Sequence, residues 1–149
     1  MAWLTTPLRW AVACACLATL LVSCELFVVG SKSSRRVPIE RSQRSSAGVV
    51  HLFKAELDSN NTAAATELIL SSTGRPLLAI ERYELADDIV RWRGVMRDKE
   101  ITETTVDTTS AATHNVTITV DYTRKLVFST IRVESAWWIT RIVDATKQR

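Results

Sequence analysis

Apolar and polar positions divide the chain into three stretches. From Trp10 to Gly30 only Thr19, Ser23 and Glu25 interrupt an apolar run. From Ser31 to Ser46 the chain is almost entirely polar, and from Ala47 onward it has the mixed composition of a folded domain. Within that last part, Val49, Val50, Leu52, Phe53 and Leu57 recur at helical spacing behind a Ser45-Ser46 cap. Asp58-Ser59-Asn60-Asn61 breaks the run and offers the next cap. Thr62 to Leu70 predicts a second, alanine-rich helix. Pro76 suits the first turn of a third, carrying Leu77, Leu78, Ile80, Leu85, Ile89 and Trp92, with Gly94 as its stop. Beyond Lys99 the period becomes two. Ile101 to Thr109, His114 to Tyr122, Leu126 to Val133 and Ala136 to Val143 read as strands joined by short polar breaks. Helices followed by a meander predict an α+β domain over residues 47–149.

Two stretches carry a resemblance. "VVHLFKAELDSNNTAAATELI" resembles the opening helices of nuclear transport factor 2-like domains, and "SAWWITRIVDA" resembles their closing strand. The resemblance spans roughly Ala47 to Ala145. It implies N-terminal helices packed on a curved, cone-like antiparallel sheet of about four strands, with the cystatin-like arrangement as the near neighbour. It also implies a bacterial setting, since membrane-anchored and lipoprotein members are common there and secretion-system assembly uses the fold.

Residues 1–30 read as a signal peptide or a transmembrane anchor. Trp10 to Leu20 has the length of a signal h-region behind Arg9. Leu21-Val22-Ser23-Cys24 then resembles the lipobox of bacterial lipoproteins, which implies lipidation of Cys24. Leu26-Phe27-Val28-Val29 departs from the small polar residues that usually follow the cysteine. The alternative is one uncleaved span. Trp10 to Gly30 is 21 residues, and at about 1.5 Å per residue it crosses about 30 Å of hydrocarbon. Glu25 costs that span up to about 3 kcal/mol at mid-bilayer. The first reading places the domain on the periplasmic or outer side. The second, with its basic flank after the span, places it in the cytoplasm.

Charge and cysteine usage sharpen this division. Cys14, Cys16 and Cys24 all precede the linker, so the domain has neither a disulfide nor a thiolate metal site. The net charge of +3 resides in the linker over residues 31–46, where Lys32, Arg35, Arg36, Arg41 and Arg44 oppose only Glu40. The domain has thirteen basic and fourteen acidic side chains. Basicity therefore does not imply nucleic-acid binding. The five cations read as a membrane-surface clamp for anionic lipid, worth about 1 kcal/mol each near the surface, or as a solvated spacer.

Candidate chemistry is sparse. Tyr83 and Asp87 share a helix face at i and i+4 and could form an acid–phenol pair in an apolar pocket. His51 reads as a helix-surface or half-buried side chain and His114 as an exposed one, and no third ligand makes them a metal site. Asp121 and Tyr122 point to opposite sides of a strand. Trp137-Trp138 places one ring toward the helices and the other away, where it would mark a ligand or partner surface. No cofactor motif is present. The expected function is a membrane-tethered, non-catalytic interaction or accessory-subunit module. Its partners would be membrane lipid through the anchor and linker, and a protein partner or a second copy. The alternative is a binder of a small apolar ligand, or an enzyme, using the cone pocket.

Overall fold

The computed structural model describes residues 38–147. Three helices come first: α1 (Ser46–Asp58), α2 (Thr62–Glu67) and α3 (Ala79–Met96). Four strands follow: β1 (Ile101–Ser110), β2 (Thr113–Val120), β3 (Arg124–Val133) and β4 (Ala136–Asp144), then a short 3-10 turn, Ala145–Lys147. The strands form one antiparallel sheet in the order β1-β2-β3-β4. The α+β architecture expected from the change of period is present. The expected anchor over residues 1–30, its Cys24, and Lys32, Arg35 and Arg36 lie outside the described residues. Among the described residues, no helix is long and apolar enough to cross a membrane.

The folded body includes residues 38–46, which the sequence pattern assigns to the linker. Trp137 N–H donates to the Gln43 carbonyl at 2.8 Å, and the Gln43 side-chain amide donates to the Trp137 carbonyl at 3.2 Å. The chain then turns into α1 through Ser45, whose hydroxyl accepts from Gly48 N–H at 2.9 Å. A Cβ on Gly48 would lie 2.5 Å from the Ser42 carbonyl oxygen and 2.8 Å from that of Glu40. Glycine is therefore what lets the entering segment press against the helix.

α1 buries Val49, Val50, Phe53 and Leu57 against the sheet, as its spacing predicts. The opposing row comes from alternate residues: Val116, Ile118 and Val120 of β2, Leu126 and Phe128 of β3, and Ile139 of β4. Phe53 meets Phe128 edge to face, with ring centroids 6.0 Å apart, an arrangement worth about 0.5–1.5 kcal/mol beyond burial. Thr130 is fully buried in the same row and its hydroxyl donates to the His114 carbonyl at 3.0 Å.

Three element boundaries differ from the sequence pattern. α2 ends at Glu67, and Leu68, Ile69 and Leu70 leave it to run parallel to β4. Leu70 N–H donates to the Ile139 carbonyl at 2.9 Å, and Ile139 N–H donates to that of Leu68 at 3.0 Å. All three apolar residues are buried, and the segment covers part of an otherwise open sheet edge. α3 starts at Ala79 because Pro76 is bridged to Leu70 and because the Glu81 carboxylate accepts from Leu78 N–H at 2.7 Å. It continues past Gly94, since Val95 and Met96 are buried and their burial outweighs the roughly 1 kcal/mol penalty of a helical glycine. Tyr122 is not in a strand. β2 ends at Val120, and Asp121 and Tyr122 take left-handed conformations, φ 51° and 58°, in the turn to β3.

Candidate functional site

The side chains of α3 divide into two opposite stripes. Leu85, Ile89, Trp92 and Met96 face the core. Ile80, Tyr83 and Val90 face solvent and are 60%, 79% and 60% exposed, with Leu78 beside them at the helix start. At i, i+3 and i+10, these three lie on one side of the helix. Asp87, also exposed, is on the same side. The sequence pattern puts Leu78 and Ile80 on this helix beside Leu85 and Ile89 without separating the two sides. They belong to this outer stripe, because α1, α2 and the core cluster lie against the other side of α3.

Several charges around the stripe are paired, while exposed Asp87 and Glu84 have no cation within 4.0 Å among the described residues. Arg82 reaches Glu67 at 2.6 Å, Arg75 grips Glu81 at 2.7 and 2.9 Å, and Arg91 meets Asp88 at 2.9 Å. Hydrogen bonds from Arg75 and then from Leu78 N–H hold the Glu81 carboxyl down at about 2. The result is an apolar row edged by three ion pairs and by the two unpaired carboxylates of Glu84 and Asp87. The expected acid–phenol pair is not in a pocket, since Tyr83 and Asp87 both point into water. The interior between helices and sheet is filled by Phe53, Phe128, Leu57, Met96 and their neighbours.

The two tryptophans part as the period of two requires. Trp137 is 6% exposed on the helix side of β4. Its ring lies on His114, with centroids 4.2 Å apart and a 35° tilt. His114 and Ser46 share a hydrogen bond at 2.8 Å. His114 is therefore half-buried rather than exposed; it links β2 to the first turn of α1 and supports Trp137. Trp137 is a packing residue, not a ligand surface. Trp138, half-buried, is paired with Ile131 and points to the opposite face of the sheet. The turn at Gly74 closes over that face. A Cβ there would sit 3.6 Å from both Ile131 and Val133 side chains, in a backbone conformation, φ 79°, that favours glycine. Tyr83 and Asp87 thus do not converge with the tryptophans on one site.

Trp92, flanked by Arg91 and Arg93, is a core residue with the Arg91 guanidinium 5.1 Å from its ring centroid. His51 is half-buried, and its Nε2 shares a hydrogen bond with the Thr104 hydroxyl at 2.9 Å. Burial, then the charges of Arg41 and Lys54, lower its pKa below 6.5. Among the described residues, no three His, Cys, Asp or Glu side chains come close enough to hold a metal ion. Of the expected clamp, Arg41 and Arg44 are described and exposed, and Arg44 lies 3.9 Å from Glu40.

The chain matches no protein-family model and no curated protein.

Proposed function

We propose that this protein is a membrane-tethered interaction module that holds a protein partner, or is held by one, through the outer face of α3. The observation that carries this reading is the row Ile80, Tyr83 and Val90, exposed on one side of a helix whose other side is fully used. Large apolar side chains gain nothing in the monomer by facing water, and an apolar row with a polar rim is a common build of a docking surface. The leader supports the tether, either as a lipoprotein with Cys24 acylated or as a single span, in a bacterial membrane. Three helices followed by a four-stranded antiparallel meander support a nuclear transport factor 2-like or cystatin-like fold.

The test is site-specific photo-crosslinking of the full chain in native membranes, with a benzophenone amino acid at position 83. A discrete adduct is expected, and it should disappear when Ile80 and Val90 are both changed to Asp. Sedimentation of the purified adduct tells a second copy from another protein. An adduct no stronger than one from Lys125 at the start of β3, or one insensitive to the double change, would remove α3 as the partner surface.

A further inference from the structure

A second feature lies away from α3, where the segment entering α1, the polar side of α1 and the start of β1 enclose a groove of about 250 Å³. Three separate parts of the chain each bring a cation to it: Arg41 from the entering segment, Lys54 from α1, and Lys99 from the turn between α3 and β1. His51, Asp58 and Glu100 complete its polar lining. His51, Lys54 and Asp58 follow one another at i, i+3 and i+7, so one side of α1 faces the groove. We infer that this groove binds a phosphate group, with Arg41, Lys54, Lys99 and His51 as its donors.

Lys54 is only 8% exposed, unusual for lysine. Its ammonium is fixed by Asp58 Oδ2 at 2.6 Å, while the other oxygen of that carboxylate accepts from Asp98 N–H at 3.1 Å. Asp58 is therefore committed on both oxygens and serves to position Lys54. Among the described residues, neither Arg41 nor Lys99 has a carboxylate within 4.0 Å, and exposed Glu100 has no cation at that distance. Three cations face two carboxylates, and a protonated His51 would add a fourth positive charge.

With Lys54 and Asp58 paired, Arg41 and Lys99 against Glu100 leave the groove net positive. Burial lowers the affinity of His51 for a proton, and the charges that add to this are those of Arg41 and Lys54, with no carboxylate opposing them. The groove is thus electropositive despite Asp58 and Glu100. A phosphate dianion suits this field better than a carboxylate does. It carries more charge and several acceptor oxygens, which can take a guanidinium fork and two ammonium groups together. Bound there, it would reverse the field at His51 and raise its proton affinity. By reciprocity, a protonated His51 would bind a given phosphate ion more tightly than a neutral one. The other groups around His51 are Thr104 on β1, which does not titrate, and the groove carboxylates Glu100 and Asp58, the latter committed to Lys54. Phosphate could come from solution or from a lipid headgroup, and this inference does not depend on which face of α3 meets a partner.

The test is ring NMR of the two histidines in the full chain, held in a phosphate-free nonionic detergent. The pH titration is run in sodium chloride and again in sodium phosphate at matched ionic strength. Phosphate should move the His51 midpoint up toward or past 6.5 and leave His114 where it was. Arg41→Gln with Lys99→Gln should abolish the shift and weaken phosphate binding about tenfold or more, while an unmoved His114 signal shows that the fold is intact. Nanodiscs of neutral lipid, with or without phosphatidic acid and without free phosphate, assign the source. A His51 shift that requires phosphatidic acid means a headgroup, and one seen only with free phosphate means a soluble ligand. A His51 midpoint equal in chloride, in phosphate and in both nanodiscs would overturn the inference, as would a shift that survives the double change.

Discussion

Ile89 and Val90 are adjacent on α3 and chemically alike, yet the structure gives them opposite duties. Ile89 is 1% exposed and belongs to the central cluster. Truncating such a residue to alanine removes its transfer energy and leaves a cavity, a combined cost of about 2–5 kcal/mol. Val90 is 60% exposed. Val90→Ala removes two carbons, worth about 1.6 kcal/mol if fully buried. With about two-fifths of the residue covered, the loss falls to about 0.6 kcal/mol. Alanine is the better helix former by about 0.5 kcal/mol, so the net change is close to zero. The assay is thermal unfolding of the full chain in detergent, followed by circular dichroism at the helix band. At about 4 °C or more per kcal/mol, Ile89→Ala should lower Tm by about 10 °C or more, and Val90→Ala by no more than about 2 °C. In the membrane crosslinking experiment the order should reverse, with Val90→Ala weakening the Tyr83 adduct in a protein of unchanged Tm. A loss above about 1.5 kcal/mol for Val90→Ala would mean that this side of α3 is already covered within the monomer, and the docking surface would not exist.

Three further outcomes are expected. The Glu81 carboxyl should titrate at about 2 by NMR, and Arg75→Gln should raise it. Because its folded pKa is depressed, the support it gives the start of α3 is complete above the ordinary carboxylate range and is lost as pH falls toward 2; an unchanged Glu81 titration in Arg75→Gln would contradict this. Acrylamide should quench Trp138 more readily than Trp137 in single-tryptophan variants, and equal quenching would refute the assignment of the two rings to opposite faces. Cys24→Ser should leave the chain at its full, unlipidated mass in cells; if the mature mass and membrane release match those of the unaltered protein, Cys24 is not the processing site.

How far the sequence discloses this fold depends on how local the deciding interaction is. The meander is legible because its strands are bounded by turns and because β3, and β2 in its middle, alternate buried and less buried side chains. The core side of α1 is legible because Val49, Val50, Phe53 and Leu57 sit on one arc. Leu68-Ile69-Leu70 is not, because its reason for leaving the helix is the free edge of β4, some seventy residues further on. His114 reads as exposed from its polar neighbours, yet its partners are Trp137 and Ser46, both distant in the chain. The outer stripe of α3 leaves a trace that can be read afterwards: Ile89 and Val90 are about 100° apart on a helix, so a helix carrying both, along with Ile80, cannot bury every apolar residue on one side. The groove leaves no comparable trace, since Arg41, Lys54 and Lys99 are brought together only by the fold.

The two surfaces should answer differently to salt. On α3 most nearby charges are satisfied by one another, in Arg82–Glu67, Arg75–Glu81 and Arg91–Asp88, leaving Glu84 and Asp87 as the unpaired ones. A partner seated on Ile80, Tyr83 and Val90 gains mainly from apolar area, which simple salt does not screen. In the groove the attraction comes from Arg41, Lys54 and Lys99 acting on an anion, and exposed charges such as Arg41 are screened over a Debye length that shrinks from about 10 Å at 0.1 M to about 3 Å at 1 M. Raising sodium chloride across that range should therefore reverse the phosphate-induced shift of His51 while leaving the Tyr83 adduct largely intact. If both effects fade together, the α3 partner is held by charge rather than by the apolar stripe. If neither fades, phosphate is not bound by the cations of the groove.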